Sequence, residues 1–168
     1  GRYWYVATAT NGDLYGSSAN YEVPETLDAN SAKYIWYVAP GTEEGTFTFK
    51  NMYSEVYLSD QTAWLKSPAK PNDSREWFVC GNEPVNFKVT DDGQVAKPSF
   101  IVSTLANQQL NTDKGYGGGL CKWNSETDPG NCMHFIAVAD DVIESIREAA
   151  AQNARNEKLS AIYDKAVT

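Results

Sequence analysis

Residues 3–17, YWYVATATNGDLYGS, hold an apolar alternating run, a polar turn and a second short run ending near Leu14. Apolar alternation with period two marks a half-buried strand, and two such runs about a polar turn make a hairpin candidate. The same order returns in TFTFKNMYSEVYLS (46–59), ending near Leu58, and in SFIVSTLANQQLNT (99–112), ending near Leu110. Each is followed, after a polar loop, by an aromatic strand: KYIWYVAP (33–40), REWFVCG (75–81) and MHFIAVA (133–139). The first core aromatic of that strand follows the leucine by 22 residues at Trp36, 19 at Trp77 and 25 at Phe135.

Further strand-like pieces lie between these landmarks: YEVPETL (21–27), TAWLKS (62–67) and LCKWN (120–124). Each unit thus offers about four strands, and three units about twelve. A four-stranded unit cannot bury its own apolar face, so three units pack around a shared core. The expectation is an all-β domain over residues 1–139, a β-trefoil of three four-stranded units, with Trp36, Trp77 and Phe135 in equivalent places about a pseudo-threefold axis. PVNFKVTDDGQVAKP (84–98) and DKGYGGGLCK (113–122) read as insertions, the former with its own hairpin through Asp92 and Gly93. A two-sheet sandwich also has many short alternating strands, but the threefold order argues against it.

Composition changes near residue 139. The remainder, DDVIESIREAAAQNARNEKLSAIYDKAV, contains neither Gly nor Pro and reads as a C-terminal α-helix over 140–168. Val142, Ile146 and Ala149 fall on one stripe; Leu159, Ile162, Tyr163 and Ala166 fall on another. Asp140 and Asp141 suit the helix start and Lys165 its end, whereas Asn153 and Asn156 predict a break in the middle. The tail can pack its first stripe on the open end of the barrel or connect to a following domain; the connector is the favoured role, and the two are compatible.

The unit order, the closing strands and LNTDKGYGGGLCKWNSETDPGNCMHFIAV (110–138) resemble the ricin-type β-trefoil lectin domains, especially divergent copies in large secreted or surface proteins of gut Bacteroidetes. The resemblance covers residues 3–139. The family's Gln-any-Trp signature, whose Gln supports the sugar site, is replaced here by YIW, REW and MHF, so the likeness identifies a scaffold better than an activity. It implies a secreted or cell-surface location. The opening GRYWYVATAT, without a basic head, an apolar h-region or an initiator Met, reads as an excised piece of a larger polypeptide.

The 168 residues carry 22 acids and 14 bases, a formal charge of -8. The ten bases of the first 138 residues are scattered among sixteen acids, which makes nucleic acid a poor partner. No apolar run reaches membrane-spanning length, so membrane insertion is not expected. Cys80, Cys121 and Cys132 fit no tetrahedral zinc spacing, and neither metal nor cofactor is expected. Cys121 and Cys132 flank a segment that a hairpin could close with a disulfide; three half-buried thiols are the other reading. The single His134 sits in an apolar run and no GxSxG element is present, so the chain reads as no enzyme. GYGGGL (115–120) lacks the ending and context of a phosphate loop.

Sugar recognition is the better candidate. A pyranose offers apolar C–H faces to an aromatic ring while its hydroxyls seek carboxylates and amides. Unit three supplies this set most fully with Asp113, Tyr116, Trp123 and Asn124; unit two offers Asp60 and Trp64. By position the resemblance matches Asp60 and Asp113 to the acid after the second strand, with the aromatic platform later in the unit. Unit one, with Asp13, Tyr15, Asn20 and Tyr21, departs from that order. The competing reading of Trp64 and Trp123 is core packing. The expected partner is therefore a glycan or polysaccharide, alongside neighbouring domains of the same polypeptide. The alternatives are a spacer or protein-interaction module without sugar affinity and, more weakly, a protease inhibitor using KSPAKPNDS (66–74).

Overall fold

The computed structural model describes residues 1–8, 24–60, 62–66, 74–78, 80–91, 99–103, 109–112, 120–123, 131 and 133–167. At 8, 62–66, 74–78, 91, 99–103, 109, 112, 120–123 and 167 it describes the backbone alone. The strands are β1 (Arg2–Thr8), β2 (Ile35–Pro40), β3 (Phe47–Asn51), β4 (Thr62–Lys66), β5 (Ser74–Phe78), β6 (Phe87–Asp91), β7 (Ser99–Ser103), β8 (Gln109–Thr112), β9 (Leu120–Trp123) and β10 (Met133–Ala137). A 3-10 helix, Ala29–Tyr34, precedes β2, and one long helix, α1 (Asp140–Val167), ends the chain. Among the described residues no helix is long and apolar enough to cross a membrane.

Six strands pair antiparallel in the order β10, β1, β2, β3, β6, β7, and a further β10–β7 pairing at Met133↔Ser99 closes them into a ring. Closure gives every strand of the ring a neighbour on both sides, through a single residue pair at the β3–β6 and β10–β7 junctions. Each unit supplies its first and last strand to the ring: β1 and β2, β3 and β6, β7 and β10. The hairpins β4–β5 and β8–β9 lie outside it, joined to each other at Trp77↔Cys121 and to β7 at Val102↔Gln109.

The ring core gathers Val6, Trp36, Phe49, Leu58, Phe87, Leu110 and Met133, with Phe135, Val38 and Val89 packed against it. Burying each large apolar side chain contributes about 1.5–3 kcal/mol. Leu58 and Leu110 occupy the core as their place in the repeat predicts; Leu14 lies outside the described residues.

One landmark of unit two is corrected. The strand that closes this unit is β6, not REWFVCG: Phe87 is 0% exposed and joins Trp36 in the core, whereas Trp77 stands in β5 opposite Ala63 and Cys121. PVNFKVTDDGQVAKP is accordingly no insertion. Its FKVTD forms a ring strand, paired with β7 from Phe87↔Ser103 to Asp91↔Ser99. The turn at Asp92 and Gly93 lies outside the described residues. Phe87 and Val89 turn inward while Lys88 and Thr90 are exposed, the alternation of a half-buried strand. The signature position of unit two therefore reads VNF (85–87).

A second cluster joins Tyr5, Ala7 and Ile35 of the ring to Ala32 of the 3-10 helix and to Val138, Ile143 and Ile146. The 3-10 helix starts at Asp28, whose Oδ1 accepts from the Asn30 amide at 2.9 Å, while the Ser31 hydroxyl accepts from the Asp28 amide at 3.0 Å. The first turns of α1 thus dock on the ring through Val142, Ile143 and Ile146; Ala149 is exposed. No break interrupts α1, which runs unbroken for 28 residues. The helix penalty of an Asn is only about 0.7 kcal/mol or less. Gln152 also donates to Asn156 at 2.9 Å and accepts from Arg155 at 2.6 Å across the exposed middle.

Candidate functional site

Asp60 is the one residue of the sequence-derived site whose side chain is described. Leu58 donates its amide to the Phe49 carbonyl at 2.9 Å, and Tyr57 bridges both Lys50 and Gly81. These bonds hold Leu58, Ser59 and Asp60 in a buried run, with Asp60 8% exposed. In unit three the matching leucine, Leu110, is followed by buried Asn111, whose side-chain amide donates to the carbonyl of the Asn131 side chain, also buried. That pair ties β8 to the approach to β10. Asn111 and Asn131 were missed in the sequence reading, although the Asn placed directly after a core leucine in LNT was the available signal.

Trp64 stands in β4 opposite Glu76, and Trp123 ends β9 opposite Gln109; at both positions only the backbone is described. Asp113, Tyr116 and Asn124 lie outside the described residues, as do Asp13, Tyr15, Asn20 and Tyr21 of unit one. The structure brings the Trp64 and Trp123 hairpins into one continuous sheet through Trp77↔Cys121. Cys121 also faces Asn111 in register, while Cys132 falls outside the description and with it the question of a bridge. Cys80 is half-buried against the ring core. His134 is half-buried in β10 opposite Ala7. Of the loop 66–74, only its paired ends Lys66 and Ser74 are described.

A different cleft, of about 790 Å³, opens between α1 and the end of the ring. Tyr3, Tyr37 and Tyr53 line it, with Lys50, Glu55 and Arg147. Its floor is the turn after β3, built on Asn51. The Asn51 side-chain oxygen accepts from the Tyr53 and Ser54 amides at 3.0 Å each, and its amide donates to the Lys33 carbonyl at 3.1 Å. The turn ends with Glu55 in the left-handed region, φ 60°.

No protein-family model and no curated protein matches the chain. Solved structures do. An agglutinin of Rhizoctonia solani superposes with a TM-score of 0.57 at 11% identity, over 82% of this chain and 95% of its own. A ricin B-like lectin of Macrolepiota procera, solved in complex with lactose, gives 0.57 at 15% identity over 82% and 96%. A designed threefold-symmetric protein, ThreeFoil, gives 0.52 at 8% over 81% and 99%. The fold is a β-trefoil. Within the trefoil, the closed six-stranded ring is the barrel, and β4–β5 and β8–β9 are outer hairpins of units two and three. The divergence of the trefoil sequences explains why the likeness surfaces in coordinates: one ring with an apolar interior admits many side-chain sets.

Proposed function

We propose that this trefoil is a noncatalytic carbohydrate-binding module of a larger secreted or surface protein. The observation that carries the reading is the separation of its aromatic residues by topology. Trp36, Phe87 and Phe135 belong to barrel strands, whereas Trp64 and Trp123 belong to outer hairpins. A hairpin outside the barrel can offer a ring to a sugar face without opening the core. The lactose complex of the Macrolepiota lectin, which has the same fold, supports that use of the scaffold.

In this reading Tyr116 or Trp123 stacks on the sugar, and Asp113 and Asn124 bind its hydroxyls. Asp60 and Trp64 form a second site. Shallow sites of this kind bind weakly alone, and retention comes from several acting together.

The spacer or interaction reading draws on YIW, VNF and MHF, none of which carries the Gln of the lectin signature. Glycan arrays followed by calorimetry separate the two. Binding that weakens about tenfold or more in Trp123→Ala supports the lectin reading. Silence across diverse polysaccharides overturns it in favour of the spacer.

A further inference from the structure

We propose that the cleft between α1 and the barrel end is a glycan site in its own right, separate from the outer hairpins and selective for a neutral oligosaccharide. The proposal rests on the carbohydrate-binding reading of the module and adds a site that no outer hairpin contributes to. Helix α1 is about 42 Å long, and among the described residues its apolar anchors, Val142, Ile143 and Ile146, fall in its first two turns. Beyond them it overhangs the barrel, and the small side chains of Ala150 and Ala154 leave the gap open. A volume of about 790 Å³ falls within the range of small-molecule sites.

The walls have the chemistry a sugar requires. Tyr3 and Tyr37 pack with ring centroids 4.9 Å apart. The Arg147 guanidinium lies 5.2 Å from the Tyr3 centroid and donates to its hydroxyl, so barrel and helix share one polar contact at the cleft. Tyr53 is 62% exposed, with the Lys33 ammonium 5.1 Å from its ring centroid. An aromatic ring held open by a hydrogen-bonded turn is a ready stacking platform.

Glu55 adds an independent sign. A non-glycine residue in the left-handed region costs about 1–2 kcal/mol, and such strain collects where a side chain is held for use. The turn holds the Glu55 backbone at the cleft rim, its amide donating to the Asn51 carbonyl at 3.0 Å. Among the lining residues two cations, Lys50 and Arg147, meet two acids, Glu55 and Glu157, and Lys33 beside the Tyr53 ring leaves an excess of one cation. A tyrosine-lined, hydrogen-bonding cleft of mixed charge suits a neutral polyhydroxylated ligand; a polyanion would call for a cluster of cations without the two acids.

Amide chemical shifts of the isotope-labelled 168-residue chain, titrated with lactose, cellohexaose and mannohexaose, test the proposal, with a heparin hexasaccharide as the anionic probe. The expected result is saturable shifts at 51–55 and 147–157 with a neutral sugar. Tyr53→Ala should weaken them about tenfold or more, and Ala150→Trp, which fills the gap from an exposed helix position, should abolish them. Leu159→Ala, at an exposed position outside both sites, should leave them unchanged. Shifts confined to 109–123 and lost in Trp123→Ala overturn the cleft and leave the outer-hairpin reading standing. A response to heparin alone overturns the proposed ligand class. Silence with every probe overturns the cleft and the lectin reading together.

Discussion

The rings of Phe49 and Phe87 meet edge to face, their centroids 6.1 Å apart and their planes inclined by 75°. They come from β3 and β6, the first and last barrel strands of unit two, which pair at Phe47↔Phe87. Phe49 also approaches Phe135 of unit three at 6.1 Å. One aromatic thereby couples the closing strands of two units, and Phe87 locks unit two into the ring.

Phe87→Ala should lower the free energy of unfolding by about 3–5 kcal/mol, because a fully buried ring leaves a cavity the closed barrel cannot collapse into. Urea unfolding measures it. A loss under about 1 kcal/mol would mean that Phe87 is not a core residue of the barrel.

Trp36→Phe should change stability by less than about 1.5 kcal/mol. Its indole N–H is buried and finds no acceptor among the described residues, and the equivalent places in the other units carry Phe87 and Phe135. Removing an unpaired donor offsets part of the lost volume. A loss as large as that of a cavity mutant, seen in the same urea titration, would reject this balance.

Asn51→Ala should cost about 2–3 kcal/mol, since it orphans the Tyr53 and Ser54 amides and the Lys33 carbonyl at once. Glu55→Gly should act in the opposite direction, by up to about 1 kcal/mol, by relieving the left-handed backbone. Thermal melts of the two variants moving in the same direction would contradict the account of this turn.

Ile146→Ala should destabilise by about 2–5 kcal/mol, whereas Leu159→Ala should stay within about 0.5 kcal/mol. Ile146 is 1% exposed beneath α1 and Leu159 is 64% exposed on its far half. Hydrogen exchange should show the matching pattern, with slow amides near 143–146 and fast ones beyond 157.

Tyr5 provides a pH dependence. Burial raises its pKa above the ordinary 10.0, and a Tyr34 phenolate would raise it further. The rings stack with centroids 5.6 Å apart. The folded state therefore holds the Tyr5 proton more tightly than the unfolded chain does. The stabilisation it gives is complete below about pH 10 and is lost as pH rises through the elevated folded value. Tyr5→Phe should flatten the alkaline limb of the stability curve while leaving neutral pH nearly unaffected; an unchanged limb would exclude Tyr5 as its source.

Much of the trefoil was legible in the chain. The alternating runs at 3–8, 46–51 and 99–103 mark the first barrel strand of each unit, and Leu58 and Leu110 mark the turn inward that follows two of them. These signals are local, since the apolar period survives whatever the strand later pairs with. The continuous α1 was less legible, because the weak propensities of Asn153 and Asn156 say nothing of side-chain bonds from Gln152. The cleft was not legible at all: Tyr3, Tyr37, Tyr53 and Arg147 are far apart in sequence, and each looks like an ordinary strand, turn or helix residue.

The sequence by itself determined that three repeated units of short strands would share one core and that a helix would follow, because hydrophobic period and turn chemistry are written residue by residue. Only the tertiary structure decided which aromatic strand closes unit two. REWFVCG and FKVTD both alternate, and choosing between them needs the pairing of β6 with β3 and β7, a contact between segments that no local pattern records. The same holds for the cleft, which exists only where a docked helix overhangs a closed barrel.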